Sequence, residues 1–190
     1  MKRKPGLKSI IIIVLTSVYL VLTFSKTRSN NRIFSENEKN IVSNITISAK
    51  CIRVIDGDTI EVTILSDEIS SLSQTEKIRF VGVNTPELNL HKKEDAEYFA
   101  QEAYLFTKKE LENRYIKLTF DDLSSMRDRY GRLLCYVWVD DFCFNKILLE
   151  AGYARYYDNF KFNAKNMILF EKAENYAKIN SMGMWNDGKQ

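Results

Sequence analysis

Short apolar stretches separated by turn residues run through most of the chain after residue 50. Strict alternation of apolar and polar side chains is typical of a half-buried strand, and a short continuous apolar run is typical of a fully buried one. Five segments fit one of these patterns: Arg53–Ile55, Thr59–Ile64, Ile78–Val83, Tyr115–Phe120 and Leu133–Val139. Asp56-Gly57 lies between the first two and predicts a hairpin with a type I′ turn, whose two central positions need positive φ.

Three further segments have apolar residues at helical spacing. They are Glu94–Asn113, Phe144–Ala151 and Ala164–Asn180. In the first, the acids come early and the lysines late, which suits the helix dipole. Gly152 follows the second as a C-terminal cap. We expect the third to bury Leu169, Ala173 and Tyr176, and Phe170 beside them.

The start of the chain has a different character. Met1–Lys8 contains four lysines and arginines and no acid, and Ile10–Phe24 is an uncharged apolar run. A basic front before an apolar run is the layout of an export signal or of an uncleaved membrane anchor. The run is shorter than the roughly 20 apolar residues of a spanning helix. Thr23 and Ser25 make a poor cleavage site, so both alternatives stay open.

This layout divides the chain into three parts. Residues 1–28 are the signal peptide or N-terminal membrane anchor, residues 29–47 are a polar linker, and residues 48–187 are the folded domain. We expect the domain to be exported, either secreted or held on the outer face of the cytoplasmic membrane. The membrane is a partner if the N-terminal segment is not cleaved.

The net charge of +3 is a property of the N-terminal part. Residues 1–28 hold six of the 28 basic residues and none of the 25 acidic ones, which leaves 22 basic against 25 acidic residues and a net charge of −3. Bulk charge therefore gives no support for nucleic-acid binding, and any such site has to be local.

Cysteine and histidine contribute little to the candidate chemistry. The three cysteines cannot all pair. With a turn at Asp140-Asp141, Cys143 lies opposite Trp138, whose strand parity differs from that of Cys135. We expect no disulfide and a core position for all three thiols. The single histidine, His91, lies in a polar loop, which argues against a zinc site of the usual kind and a Ser-His-Asp triad.

Charged residues stand where two of the predicted strands end. We assign Asp56 to the turn, whereas Asp58 opens the next strand; most Asp-Gly-Asp runs are only turns. Arg79 lies inside an apolar strand, where a guanidinium is costly unless it meets an anion. Pro86 ends that strand and Glu87 follows it. Together, Asp58, Arg79 and Glu87 offer a metal ligand, a phosphate clamp and a general base.

Two later segments have two explanations each. The loop Asp121–Arg132 holds three arginines within six residues, and a salt-bridged surface loop would explain them. Arg132, however, leads straight into an apolar strand and is placed to point along the same rim as Arg79. The segment Tyr153–Phe162 mixes aromatic and cationic residues, and it suits either base stacking beside a phosphate or a loop that covers the core.

Several of these motifs, in this order, resemble the thermonuclease (staphylococcal nuclease) family. They are Val54–Thr59, Ile78–Phe80 with Asn84–Glu87, Arg129–Arg132 and, near the end, Gly183–Trp185. The resemblance spans about Lys50 to Asn186. It implies an α+β, mainly β fold: a five-stranded barrel of the oligonucleotide-binding type (OB-fold) with three α-helices. The activity it implies is a calcium-dependent phosphodiesterase acting on DNA and RNA.

The resemblance also implies roles for single residues. Asp58 would hold Ca²⁺ together with Asn84 and the carbonyl of Thr85. Asn84 departs from the best-known family pattern, in which an aspartate precedes Thr-Pro-Glu. The implied catalytic residues are Arg79, Glu87 and Arg132. The implied substrate-binding residues are Arg129, Tyr130 and Tyr156, with Phe160 as the alternative base-stacking aromatic.

In these roles, Glu87 would orient or deprotonate the attacking water, and the two guanidinium groups would bind the phosphate more strongly as charge builds on it. Two function classes stay open. One is an exported nuclease, expected to be a monomer, with little sequence preference. The other is a non-catalytic nucleic-acid-binding OB-fold module tethered at the membrane. Retention of Glu87, Arg79 and Arg132 favours the nuclease, because simple binding needs no base beside the phosphate.

Overall fold

A computed structural model of the chain describes residues 46–66, 69, 71–88 and 96–186. The predicted signal or anchor at 1–28, most of the predicted linker, and the loop that contains His91 lie outside the described residues.

Eight strands are found in the described residues, and five of them form a closed barrel. In chain order they are β1 (Thr46–Asp56), β2 (Thr59–Ile64), β3 (Thr75–Phe80), β4 (Val83–Asn84), β5 (Tyr115–Thr119), β6 (Leu133–Val139), β7 (Phe142–Cys143) and β8 (Arg155–Tyr156). The barrel strands follow one another in the order β3-β2-β1-β5-β6, and a parallel pairing of β3 with β6 closes the ring. The predicted five-stranded barrel of the oligonucleotide-binding type is confirmed.

The curvature of the barrel is concentrated in β1. This strand pairs with β5 through its first half and with β2 through its second. Its ladder with β2 is irregular between Cys51 and Arg53 and again between Val54 and Asp56. An extra residue at a bulge bends a strand, which allows β1 to serve both sides of the closed sheet. Ile52, the extra residue at the first bulge, is accordingly exposed while Cys51 and Val54 are buried.

In the described part of the chain, three α-helices pack around the barrel, as predicted. They are α1 (Ala100–Leu111), α2 (Phe144–Glu150) and α3 (Ala164–Ile179), and a 3₁₀ turn, Gly183–Trp185, follows the last. The helices α2 and α3 pack against each other, and α2 also packs on β6. Consecutive β6 residues from Leu133 to Val137 are all buried, because one face lines the barrel and the other lies beneath helices.

Two helix predictions need correction. The first helix begins at Ala100, because Phe99 before it has φ 70, a left-handed conformation that does not continue a helix. On α3, the prediction that Tyr176 is buried is wrong, since its side chain is 54% exposed. The buried apolar face of α3 is formed instead by Phe170, Ala173 and Ala177, whose spacing of three and four residues keeps them on one side of the helix.

The predicted type I′ turn at Asp56-Gly57 is also wrong. The two loop residues between β1 and β2 are Gly57 and Asp58, and neither has positive φ. Distant residues shape this loop: the Thr107 hydroxyl donates a hydrogen bond to the Gly57 carbonyl at 2.6 Å. A Cβ added to Gly57 would lie 2.7 Å from Thr85 Oγ1. Glycine is therefore required here for close approach and not for its backbone angles.

The predicted strand Ile78–Val83 ends early, at Phe80. Gly82, with φ +74, then turns the chain into β4, and a Cβ at this position would lie 2.6 Å from the Phe170 ring. The short strand β4 leaves the barrel sheet and pairs with β8. This break directs the residues after Asn84 back towards the β1–β2 loop.

The thiol predictions are confirmed for all three cysteines, each of which lies within the described residues. Cys51, Cys135 and Cys143 are buried and form no disulfide, and Cys143 pairs with Trp138 across the hairpin. Burial raises the pKa of the Cys51 thiol to about 11, which suits a core residue and not a nucleophile. Within the described part of the chain, no helix combines the length and the apolar character needed to cross a membrane.

Candidate active site

The closure of the barrel brings the predicted site residues to one end of it. Thr59 of β2 pairs with Arg79 of β3, and Arg79 pairs in turn with Leu134 of β6. Asp58 immediately precedes Thr59, and Arg132 lies two residues before Leu134. Three neighbouring strands therefore place a carboxylate and two guanidinium groups within reach of one another.

Asp58 is at the centre of this cluster and is 3% exposed. Its Oδ2 accepts a hydrogen bond from the backbone N–H of Thr85 at 3.0 Å and lies 3.1 Å from Nη2 of Arg79. Its Oδ1 accepts from the Thr59 hydroxyl at 3.0 Å. The carboxylate is thus fixed in orientation by contacts on both oxygens.

Arg79 is 5% exposed, and acceptors of the protein bind both Nη atoms of its guanidinium. Nη1 donates to the carbonyls of Phe80 at 2.9 Å and Val83 at 2.7 Å. Nη2 donates to Oδ1 of Asn84 at 2.7 Å, beside its ion pair with Asp58. The anionic partner that the sequence required for a buried arginine is Asp58. Breaking such a buried pair from one side is costly, because the other charge stays behind uncompensated.

Asp56 is a site residue that the sequence analysis missed. Its Oδ1 accepts from the Gly57 N–H at 2.8 Å. Burial, in the first place, raises the pKa of Asp56 to about 7, and the charge of Asp58 together with a hydrogen bond and charge from Glu87 act in the same direction. The signal that could have found it is the Asp-Gly-Asp spacing around a tight loop, which leaves both carboxylates at one end of the barrel.

Glu87 reaches this carboxylate cluster from the loop after β4. Its side chain contacts that of Asp56, and the residue is exposed at the rim. Its backbone N–H donates to Oε2 of Glu97 at 3.1 Å, and the Glu97 N–H donates back to the Glu87 carbonyl at 3.2 Å. This two-way contact fixes the main chain of Glu87 while its side chain stays open to solvent.

Arg132 borders the same cluster from the opposite side. Its Nε donates to Oδ2 of Asp128 at 2.7 Å, and its Nη1 donates to the Thr59 hydroxyl at 3.3 Å. Because that hydroxyl donates to Asp58, Arg132 and Arg79 flank one carboxylate. The Arg132 side chain is only partly buried, so it remains accessible to solvent.

Two of the predicted substrate-binding residues lie at the rim beside Arg132. Tyr130 is 68% exposed, and its hydroxyl accepts from Nη2 of Arg129 at 2.7 Å. The guanidinium carbons of Arg129 and Arg132 lie 4.8 Å and 5.4 Å from the Tyr130 ring centre. These are cation–π distances, so the three side chains form one cationic and aromatic surface.

The third predicted substrate-binding residue, Tyr156, is placed differently. Its backbone N–H donates to Oε1 of Glu174, and its ring packs edge-on against Phe162. The next residue, Tyr157, is the one near the site, with its ring centre 5.9 Å from the Arg79 guanidinium carbon. Phe160, the alternative stacking residue, packs edge-on against Tyr157. The base-stacking role of Tyr156 stays a prediction.

The oxygen donors of the site fit a hard divalent cation. No three His, Cys, Asp or Glu side chains of the described residues form a metal site by themselves. The available set is mixed: the Asp58 carboxylate, the Asn84 amide oxygen and the Thr85 carbonyl, all ligand types that such cations accept. Burial raises the pKa of Asp56 in the first place, and the negative charges of Asp58 and Glu87 add to the shift, so a cation at this cluster would offset part of it.

Comparisons with known proteins identify the family of the chain. Residues 77–187 match the family described as Staphylococcal nuclease homologue. The chain belongs to the staphylococcal nuclease family. The predicted resemblance is therefore confirmed, and the protein is a nuclease whose substrate is a nucleic acid.

Three relatives show how far the similarity to other staphylococcal nuclease homologues extends. The thermonuclease of Staphylococcus intermedius is 37% identical over 135 residues, which is 70% of this chain and 73% of the relative. The thermonuclease of Staphylococcus hyicus is 34% identical over 141 residues, 73% of this chain and 75% of the relative. The SPbeta prophage-derived endonuclease YokF of Bacillus subtilis is 32% identical over 135 residues, 70% of this chain and 42% of the relative.

The raised pKa of Asp56 predicts how the stability of the metal-free protein depends on pH. In the folded protein Asp56 keeps its proton up to about pH 7, whereas in the unfolded chain it loses the proton near the ordinary aspartate pKa of 3.8. Between these values the folded state binds the extra proton, so stability falls as pH rises across this window. Urea unfolding with chelator present, at several pH values, measures the effect.

The variant Asp56→Asn should remove this part of the pH dependence, because it has no proton to bind. The exposed Asp122→Asn is the control and should keep the wild-type profile. Equal slopes for the wild type and Asp56→Asn between pH 4 and pH 7 would contradict the prediction.

Proposed function

We propose that this staphylococcal nuclease homologue is an exported, calcium-dependent phosphodiesterase that hydrolyses DNA and RNA with little sequence preference. The observation that carries the proposal is the placement of two guanidinium groups on either side of one carboxylate cluster. Arg79 lies 3.1 Å from Asp58, and Arg132 reaches Asp58 through the Thr59 hydroxyl. This pattern suits an anionic substrate that gains charge in its transition state.

Three residues would hold the calcium ion: Asp58, Asn84 and Thr85. When bound, the ion would supply positive charge at the phosphate and a more acidic water. The chemistry matches the donors, since calcium accepts carboxylate, amide and carbonyl oxygens and completes its shell with water.

The two arginines would bind the phosphate oxygens from two directions. Arg79 is held in place by the carbonyls of Phe80 and Val83, and its Nη2 would give up its contact with Asn84 or Asp58 to bind the phosphate. Arg132 is partly exposed and would bind the phosphate from the solvent side. Two forked guanidinium groups suit phosphate geometry better than two point charges would.

Glu87 would orient the attacking water and take its proton. Its carboxylate stands at the solvent-exposed rim, where water has access, and it shares a hydrogen bond with Asp56. The residues of this site would all act on phosphate, metal or water. Contacts to phosphate carry no sequence information, which supports cleavage with little preference between nucleic acids or sequences.

The first test is cleavage of single-stranded DNA and RNA by the purified protein with calcium and then with chelator. We expect cleavage only with calcium, and each of Glu87→Gln, Arg79→Lys and Arg132→Lys should lower turnover by at least about 10². Arg114→Lys is the control, because Arg114 makes an ion pair with Asp140 at the other end of β6.

Circular dichroism should show that each variant is folded. Binding of DNA by the wild type without cleavage at any calcium concentration would favour the alternative function, a non-catalytic binding module. Near-normal turnover in a folded variant would remove that residue from the mechanism.

A second test concerns Asn84, whose Oδ1 accepts from Arg79 at 2.7 Å. The variant Asn84→Asp keeps an oxygen at this position and adds a negative charge, and calcium affinity rises with ligand charge. We expect half-maximal cleavage at a lower calcium concentration than in the wild type. Extracellular calcium modules work with dissociation constants of about 10⁻⁴ to 10⁻³ M, so the weaker asparagine site is consistent with export. Overlapping calcium titrations of the wild type and Asn84→Asp would show that Asn84 is not a ligand. The control for the added charge is Asn175→Asp at an exposed position, which should keep the wild-type titration.

A third test concerns location. The basic and apolar residues in 1–28 support export of the domain, either released or anchored. Protease added to intact cells should digest an anchored domain, and a released domain should appear in the medium. Full protection until the cells are lysed would contradict export.

A further inference from the structure

Glu76 and Arg127 form an ion pair that the chemistry described so far does not use. Glu76 lies on β3 and its side chain is 7% exposed. Nη1 of Arg127 donates to its Oε2 at 2.9 Å, and Nη2 donates to its Oε1 at 2.8 Å. The backbone N–H of Ser73 also donates to Oε1 at 2.8 Å. Both carboxylate oxygens are therefore held by the guanidinium fork, the geometry with the strongest directional preference among ion pairs.

The same guanidinium also holds the loop that carries Arg132. Nη1 of Arg127 donates to the carbonyl of Gly131 at 2.7 Å, and Arg127 forms a backbone bridge with Leu133. These contacts are made to the residues immediately before and after Arg132. Within the loop, Asp128 accepts from the Arg132 side chain at 2.7 Å, but Asp128 belongs to the loop itself and does not fix it to the barrel.

Glu76, the member of the ion pair that lies on a strand, is also close in sequence to Arg79, the other arginine proposed to bind the phosphate. Glu76 lies three residues before Arg79 on β3, a strand that is paired on both sides, with β2 and with β6. One bidentate contact thus connects the rigid strand that carries Arg79 to the loop that carries Arg132. Hydrogen bonding to Arg127 lowers the pKa of Glu76, so the pair stays charged at neutral pH.

We propose that Glu76 and Arg127 are positioning residues for the reaction, which set the distance and angle between the Arg132 and Arg79 guanidinium groups. This inference rests on the proposed function, in which both arginines bind one phosphate. Two guanidinium groups that bind one phosphate tolerate little displacement, since a shift of about 1 Å can lower the rate by up to about 10². Neither Glu76 nor Arg127 touches the substrate; they act through Arg132.

The test is a mutant cycle built on Arg127→Lys. Lysine keeps the charge opposite Glu76 but cannot hold both carboxylate oxygens and the Gly131 carbonyl together. We expect kcat to fall about tenfold, with a smaller change in KM. Arg114→Lys is the matched control. Its side chain is 38% exposed against 34% for Arg127, and it also combines an ion pair with a carbonyl contact. The control should keep wild-type kcat.

The decisive measurement is made in the Arg132→Ala background. If Arg127 acts through Arg132, Arg127→Lys should cause no further loss of kcat there, because residues that act as a unit are not additive. In an Arg79→Lys background the loss should persist. A full tenfold loss in the Arg132→Ala background would overturn the proposal, as would wild-type kcat in Arg127→Lys itself. If Arg127→Lys does not fold, Glu76→Gln takes its place, since glutamine keeps the acceptor for Ser73 and loses the charge.

Failure of the proposed function gives a different result from failure of this inference. If the wild type does not cleave with calcium, the proposed nuclease reaction is wrong. The same cycle is then measured as the affinity for a short fluorescent single-stranded DNA. Arg127→Lys should weaken binding in the wild-type background and not in the Arg132→Ala background, and equal weakening in both would overturn the positioning role.

Discussion

A buried guanidinium has to find acceptors inside the protein, and Arg79 shows how much structure that requirement can organise. Its acceptors are two main-chain carbonyls, the amide oxygen of Asn84 and the carboxylate of Asp58. The carbonyls are available because the chain turns sharply at Gly82, which places Val83 back over β3. The same turn carries Thr85 to Asp58. The ion pair, the turn and the oxygen donors therefore depend on one another, and removing any one leaves a buried polar group without its partner.

The same turn also brings Glu87 close to Asp56, so that, in addition to burial, the negative charges of Asp58 and Glu87 help to raise the pKa of Asp56. Asp56 and Asp58 lie on either side of Gly57, whose carbonyl is bound by Thr107 and which packs closely against Thr85, and Glu87 arrives from the next loop. Neighbouring carboxylates repel one another when both are charged, unless a positive charge or a bound proton compensates. Proteins tolerate this kind of local conflict mainly at functional sites, where the cost is offset by the rest of the fold.

Much of this protein could be predicted from its sequence, and the limits have physical causes. The strand Leu133–Val139 has the predicted bounds, because a continuous apolar run depends only on burial. The hairpin at Asp140-Asp141 was predictable as well, because both residues adopt positive φ that aspartate tolerates locally.

The loop at Gly57 was not predictable, because its shape is set by threonines distant in sequence. For the same reason the end of β3 at Phe80 depends on the Phe170 ring behind Gly82. Tyr157, and not its neighbour Tyr156, lies beside Arg79, and an irregular segment offers no strand parity from which to predict that.

Closure of the barrel by a parallel pair has a consequence for how the protein folds. Ile78 of β3 meets Leu133 of β6, and in the described residues the strands β4 and β5 and the helix α1 lie between them along the chain. Contacts between residues so distant in sequence carry a loop-closure entropy cost and slow folding. Arg79 and Arg132 are brought together by this same pairing. A chain with its first hairpin formed but its ring open would therefore hold the two guanidinium groups apart, and only the closed barrel places both of them around Asp58.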